Sequence, residues 1–313
     1  MELRQIARDV HVCLQEDRGL GCSNSGLVSR GGGLVVDTFW DLPHTRELRS
    51  LYASVHPEPV QRVVNTHANG DHCWGNQCFA GAEIIAQRAS LQRLARERPE
   101  AMEALRGMTG HADPAVAAFA QLLRDWDFRG ITPVAPTRLF DESLQLDLDG
   151  LQVELLHVGP AHTAEDAIVH LPEPGVVFAG DVVFRLCTPI GWEGSFEVWG
   201  RALERIVELE PAVIVPGHGP LCGVEGALEM KAYLEYVRDE ARTCFEAELD
   251  VAEASRRIDP GPYAGWTEPW RIVFQVERAY RELRGEAWDA PVDAVGLFRI
   301  GLSLGAGPPR PPA

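Results

Sequence analysis

Asn65-Thr66-His67-Ala68-Asn69-Gly70-Asp71-His72-Cys73-Trp74-Gly75-Asn76 follows directly on the apolar run 60–64. A β-branched run that stops at polar residues reads as a strand ending in a loop. His67, Asp71 and His72 therefore stand where one loop can aim three metal-ligating groups at one point. Three later segments offer matching groups behind β-runs: Gly159-Pro-Ala-His-Thr163 with His162, Phe178-Ala-Gly-Asp-Val182 with Asp181, and Pro216-Gly-His-Gly-Pro220 with His218. Each is read as a loop over a sheet edge. Imidazole and carboxylate together suit Zn²⁺, and a bound metal lowers the pKa of its water toward neutrality.

Working outward, residues 10–15, 26–28 and 33–37 are short apolar runs separated by Gly, Asn and Asp, as strands joined by turns would be. A helix is expected around 45–55, then strands at 60–65 and 83–86. From about 88 to 130, Ala, Leu, Arg and Glu dominate without alternation, predicting a helical insertion of two or three helices. Strands return at 151–158, 167–171, 176–179 and 213–215. Behind Ser195, a suitable N-cap, Phe196, Trp199, Leu203 and Ile206 recur at helical spacing. A C-terminal helical extension is expected over about 226–285, its last helix capped by Thr267 and turning Ile272, Val276, Ala279 and Leu283 inward. The Gly- and Pro-rich tail 305–313 reads as frayed. Two β-rich halves, each followed by helices, suit two sheets packed face to face with helices outside, within one domain over 1–313.

Forty-six acidic side chains against 29 basic ones leave a charge of −17, a poor footprint for nucleic acid. Lys231 is the one lysine among the bases. No apolar stretch approaches membrane-spanning length, and residues 1–9 lack the apolar segment of a secretion signal. The expectation is a cytoplasmic protein acting on a small molecule, with no nucleic acid or membrane partner. Composition leaves its oligomeric state open. Seven scattered cysteines, an odd number, argue against a disulfide framework.

The ordered motifs resemble the signature of the metallo-β-lactamase superfamily: His-x-His-x-Asp-His, then a lone His, a bridging Asp and a final His. Asp37 also fits that family's first motif. The resemblance implies an α/β (α+β) fold, a four-layer αββα sandwich with the metals at one edge, carrying here the helical insertion and C-terminal helices. It implies a first metal site held by His67 and His162, and a second held by Asp71, His72 and His218. Asp181 would bridge them, and Asp71 and Asp181 would serve catalysis. One position departs: Asn69 stands where the family has its second histidine. Its amide oxygen is a weaker ligand than imidazole, so the first site is expected to be depleted, with one or two Zn²⁺ ions in all and iron as the other candidate.

The activity implied is hydrolysis of an ester, thioester or lactone carbonyl by hydroxide generated at the metal. Three absences prune the substrates. Basic residues beyond the final His, as in the family's glutathione thioesterases, reduce here to Lys231 and arginines; no lysine follows Asp181 closely, as in many β-lactamases; and nucleic-acid-binding length and charge are missing. Alternatives on the same centre are a polyketide-type thioesterase or cyclase and an iron-dependent redox enzyme; a non-catalytic binding protein is the third class. Trp40, Trp74 and Trp192 follow the metal loops and are read either as walls of an apolar pocket or as core fillers. His11, His44, His56, His111, His157 and His170 are read as structural or surface residues, and Cys73 as a packed thiol.

Overall fold

The computed structural model describes residues 1–16 and 19–304. Among these, β1 (Glu2–Ala7), β2 (Val10–Leu14), β3 (Ser25–Val28), β4 (Leu34–Val36), β5 (Arg62–Val64), β6 (Glu83–Gln87) and β7 (Arg138–Phe140) form one sheet in chain order. The strands up to β4 pair antiparallel and those from β4 onward pair parallel. The change follows from the connections, because parallel neighbours need a crossover. Helix α1 (Leu42–Ala53) supplies one. The ligand loop, with the short helix α2 (Gly70–Cys73), supplies the next, and α3 (Ser90–Leu94), α4 (Pro99–Arg106) and α5 (Pro114–Leu122) the third.

The second sheet has the order β12-β11-β10-β9-β8, built from β8 (Ser143–Leu148), β9 (Leu151–His157), β10 (Ala167–Leu171), β11 (Val176–Phe184) and β12 (Val213–His218). Helix α6 (Phe196–Glu208) makes the crossover between the parallel pair β11 and β12. Every residue of β11 is buried, which is why it reads as a continuous apolar run interrupted by Gly180 and Asp181. Edge strand β8 turns only alternate leucines inward. It joins β9 through Asp149-Gly150, both at positive φ (54° and 86°), as a two-residue hairpin turn demands.

Val12, Val36, Val64 and Ile85 of the first sheet pack against Leu155, Val169, Phe178 and Val215 of the second. Leu48 and Tyr52 of α1 cover the outer face of the first sheet. Trp199 and Leu203 of α6, Met230 of α7 (Val224–Glu246) and Val276 of α9 (Ile272–Leu283) cover that of the second. The order of layers is therefore α, β, β, α, with α8 (Val251–Arg257) and α10 (Ala294–Ser303) completing the helices. No helix among the described residues is long and apolar enough to cross a membrane.

Ser195 caps α6 as expected, accepting from the Val198 N–H at 3.2 Å. Thr267 does not cap α9. Its backbone is engaged with the Leu186–Thr188 segment instead, and α9 starts at Ile272 behind a 3-10 turn, Pro269–Arg271. Leu283, in the last turn of α9, points outward and is 37% exposed, whereas Ile272, Val276 and Ala279 are buried. Strands β1, β7 and β8 and helix α10 were not foreseen, so the helical extension runs past residue 285. The tail expected to fray, 305–313, lies outside the described residues.

Candidate metal centre

The edge where both sheets end gathers the motif residues. His67, Asp71 and His72 arrive on the loop after β5, and His162 on the loop between β9 and β10. Asp181 and His218 are not past their strands, as the sequence reading had them. Asp181 lies within β11, beside irregular pairing around Gly180, and His218 is the last residue of β12. Gly217 permits this closeness: a Cβ there would stand 2.0 Å from Asp181 Oδ1.

Asp181 divides the cluster. Its Oδ2 faces His162 Nε2 at 3.4 Å and His67 Nε2 at 3.8 Å. Its Oδ1 faces His72 Nε2 at 3.1 Å and His218 Nε2 at 3.3 Å. Asp71 Oδ2 closes the second group, 3.4 Å from His218 Nε2 and 3.8 Å from His72 Nε2. Asn69 belongs to the first group, its amide 3.1 Å from His162 Nε2.

The donor set fits a cation. His67 Nε2 is buried without a hydrogen-bond partner, although the ring is fully enclosed. The Nε2 atoms of His72 and His218 face each other at 3.4 Å, a contact that a shared positive charge would satisfy. Burial holds His67 well below the usual imidazole range and takes His162 down to about 3, keeping both neutral and available as ligands. Burial acts the same way on His72 and His218, but Asp181 outweighs it, with Asp71 assisting, and both hold protons more tightly than free imidazole. Asp181, against its own burial, is kept well below the carboxylate range by His218, His72 and His162. Three carboxylates around these rings ask for positive charge, and a divalent ion is its compact source.

The remaining ring nitrogens fix the imidazoles. Asp37 Oδ2 lies 3.0 Å from His72 Nδ1, Thr66 Oγ1 lies 3.1 Å from His67 Nδ1, and the Cys22 carbonyl lies 3.0 Å from His218 Nδ1. Such partners set the tautomer of a metal-binding histidine. Asp37 adopts a left-handed backbone (φ 60°) and accepts from both the N–H and the hydroxyl of Thr66. Asp166 gathers the N–H groups of His162 (2.6 Å) and Thr163 (2.8 Å), and Glu165 accepts from the Ala68 N–H while pairing with Arg93 at 2.6 Å. Glu165, Asp166 and Arg93 were missed in the sequence. Two adjacent acids closely following His162 were the available signal.

Residues 18–218 match the metallo-beta-lactamase superfamily. The chain belongs to that superfamily. It is 25% identical over 300 residues to the linear primary-alkylsulfatase of a Pseudomonas species, covering 84% of this chain and 56% of that enzyme. The chain thus spans little more than half of this relative's length. Among solved structures, the stereoselective inverting sec-alkylsulfatase of Pseudomonas aligns with a TM-score of 0.68 and 17% identity, over 93% of this chain and 51% of the other. A metallo-beta-lactamase family protein of Thermus thermophilus aligns at 0.64 and 20% identity, over 90% and 95% respectively.

In this member of the superfamily the centre opens into a cavity of about 330 Å³. Trp40, Trp74, Phe119, Ile190, Trp192 and Phe298 line it beside Asp71, His162, Asp181 and His218. The insertion and the C-terminal helices both contribute. Phe119 of α5 meets Phe298 of α10 edge-on at 4.7 Å, and Arg299 pairs with Asp113 at 2.7 Å. Trp40 and Trp74 serve core and cavity at once, because both also pack on Phe128.

The apolar pocket expected around the tryptophans also carries charge. Arg93, Arg96, Glu97 and Arg98 enter from the insertion and Arg271 from the 3-10 turn before α9. Burial pushes the Glu97 carboxyl up to about 7. The other histidines stay apart from the centre: His44 is bound to Asp41, His170 to Glu154 and His157 to the Ala164 carbonyl. The buried Cys73 thiol lies against the Ala68 carbonyl at 3.5 Å.

Proposed function

We propose that this protein is a metal-dependent hydrolase of esters, thioesters or lactones that carry a bulky apolar group. The carrying observation is that both donor groups around Asp181 open straight into the tryptophan-lined cavity. Asp71, His72, His218 and one Asp181 oxygen would hold one divalent ion, with zinc the best match to these donors. His67, His162, the other Asp181 oxygen and the Asn69 amide would hold a second. Such an ion, when bound, makes hydroxide available near neutral pH and draws charge from a carbonyl oxygen. Asp71, the most accessible of these carboxylates with its side chain 16% exposed, would serve catalysis by presenting Oδ2 to that ion beside His72 and His218, at the cavity side of the group. Trp40, Trp74 and Trp192 hold the apolar part of the substrate and keep bulk water from it.

Because Asn69 offers an amide in place of imidazole, the group with Asp71, His72 and His218 fills first. Metal analysis of the protein as isolated is expected to give closer to one ion per chain than two, with anomalous scattering stronger beside His218 than beside His162. Asn69→His should raise the content toward two. Two equal, tight ions in the unaltered protein would contradict this assignment.

The hydrolase reading is tested with p-nitrophenyl esters of increasing acyl length. Each buried CH₂ contributes roughly 0.8 kcal/mol, so kcat/KM should climb up to about fourfold per carbon until the cavity is full. Trp192→Ala should lower the constant more for long esters than for acetate. A flat profile unaffected by Trp192→Ala would show that the cavity does not select the acyl group. A second reading, cleavage of an alkyl sulfate ester, draws on the linear primary-alkylsulfatase relative and on the cavity arginines. Turnover of dodecyl sulfate with inert carboxylic esters would favour it.

A further inference from the structure

Four arginines reach the cavity, and two of them are neutralised. Arg93 is paired with Glu165 and Glu193, and Arg271 with Glu268. Arg96 and Arg98, in the turn between α3 and α4, are exposed at the mouth and have no carboxylate partner among the described residues. The Arg98 guanidinium is nonetheless fixed. Its Nη1 donates to the carbonyls of Ala95 and Glu97, both at 2.8 Å. Carbonyls orient the group without cancelling its charge, and its other N–H groups remain able to donate. Glu97, between the two in sequence, turns toward the cavity and makes no ion pair with either.

This arrangement stands out against the rest of the molecule. A chain of charge −17 repels anions at long range, so an anionic ligand is held only where positive charge is fixed locally. Here that place is the rim of an apolar cavity whose floor is the candidate metal centre.

We propose that Arg96 and Arg98 anchor a carboxylate at the end of the substrate remote from the bond that is cut. The substrate is then an amphiphile: its acid end rests at the mouth, its apolar body lies between Trp40, Trp192 and Phe298, and its ester reaches the metal donors. This rests on the hydrolase reading and narrows its substrate class.

The test compares p-nitrophenyl hexanoate with mono-p-nitrophenyl adipate, which has the same acyl length and ends in a carboxylate. At low ionic strength the metal-loaded protein should prefer the adipate by about tenfold in kcat/KM, chiefly through KM, and the preference should shrink with salt. In the double variant Arg96→Ala/Arg98→Ala the ratio should fall toward one, while Arg96→Lys/Arg98→Lys retains part of it. No preference in the unaltered protein, or the same ratio in the alanine variant, overturns the anchor. Failure to cleave either ester would count against the hydrolase reading, and the anchor is then judged by calorimetric binding of decanoate and 1-decanol. Its expected signature is a decanoate-to-decanol affinity ratio that drops about tenfold in the alanine variant. An unchanged ratio, with the carboxylate captured elsewhere, overturns it.

Discussion

Asp181→Ala is expected to lower kcat/KM for the best ester substrate on the order of a thousandfold or more, and His72→Ala comparably. Asp181 is where both donor groups meet, one oxygen facing His67 and His162 and the other facing His72 and His218. Its removal takes a donor from each at once. It also removes the charge that raises His72 and His218, so these rings lose the feature that draws a cation between them. His72 has a single ring but two tethers, Asp181 at Nε2 and Asp37 at Nδ1. Without it, the Asp37 turn keeps its hold on Thr66 but no longer reaches the centre. Neither side chain belongs to the apolar clusters between the layers. The melting temperature of each variant should therefore stay within a few degrees of the metal-stripped parent, the correct reference because bound metal itself stabilises. Full turnover in either variant would place the chemistry outside this centre.

The largest expected loss of stability comes from Trp199→Ala. Trp199 is fully buried on α6, donates its indole N–H to the Val182 carbonyl at 2.9 Å, and backs the His162 ring at 5.9 Å. The guanidinium of Arg278 lies over the Trp199 ring, 4.7 Å from its centroid, and donates to the Ala161 carbonyl. Truncation leaves a cavity, an unpaired carbonyl and a buried cation without its aromatic neighbour, a cost of about 3–5 kcal/mol. Denaturant unfolding of the metal-free protein should show it as a lower midpoint at unchanged slope. Trp199→Phe, which keeps most of the volume, should lose less. A change under about 1 kcal/mol in Trp199→Ala would mean that the surrounding layers collapse to fill the space.

Much of this architecture was legible in the chain. Strands buried on both faces, such as β11, announce themselves as apolar runs, and α6 carries both its period and its cap. The convergence of the six motif residues was visible because each stands near the end of an apolar run, in the order of the family's motifs, even though Asp181 and His218 lie within their strands. What escaped has physical reasons. Strands β1 and β8 are partly solvated and carry polar residues, so their alternation is diluted, although Asp149-Gly150 was a hairpin signal. Helix α10 contains two glycines and follows a polar stretch, and its partner α5 lies far back in the sequence. The charges of the cavity also escaped, because the order of residues in the insertion does not show which of its side chains, Arg96 and Arg98 among them, turn toward the tryptophans.

The contact of α10 with α5 has a temporal consequence. Every candidate metal donor has left the ribosome once His218 has emerged, and both sheets are then complete. Arg271 and Phe298, which line the far side of the cavity, are synthesised later, at rates of about 5–20 residues per second. Every donor of the proposed ion is thus made before Phe298 can close against Phe119. A chain that ended before α10 would keep each of these donors and lose that wall residue.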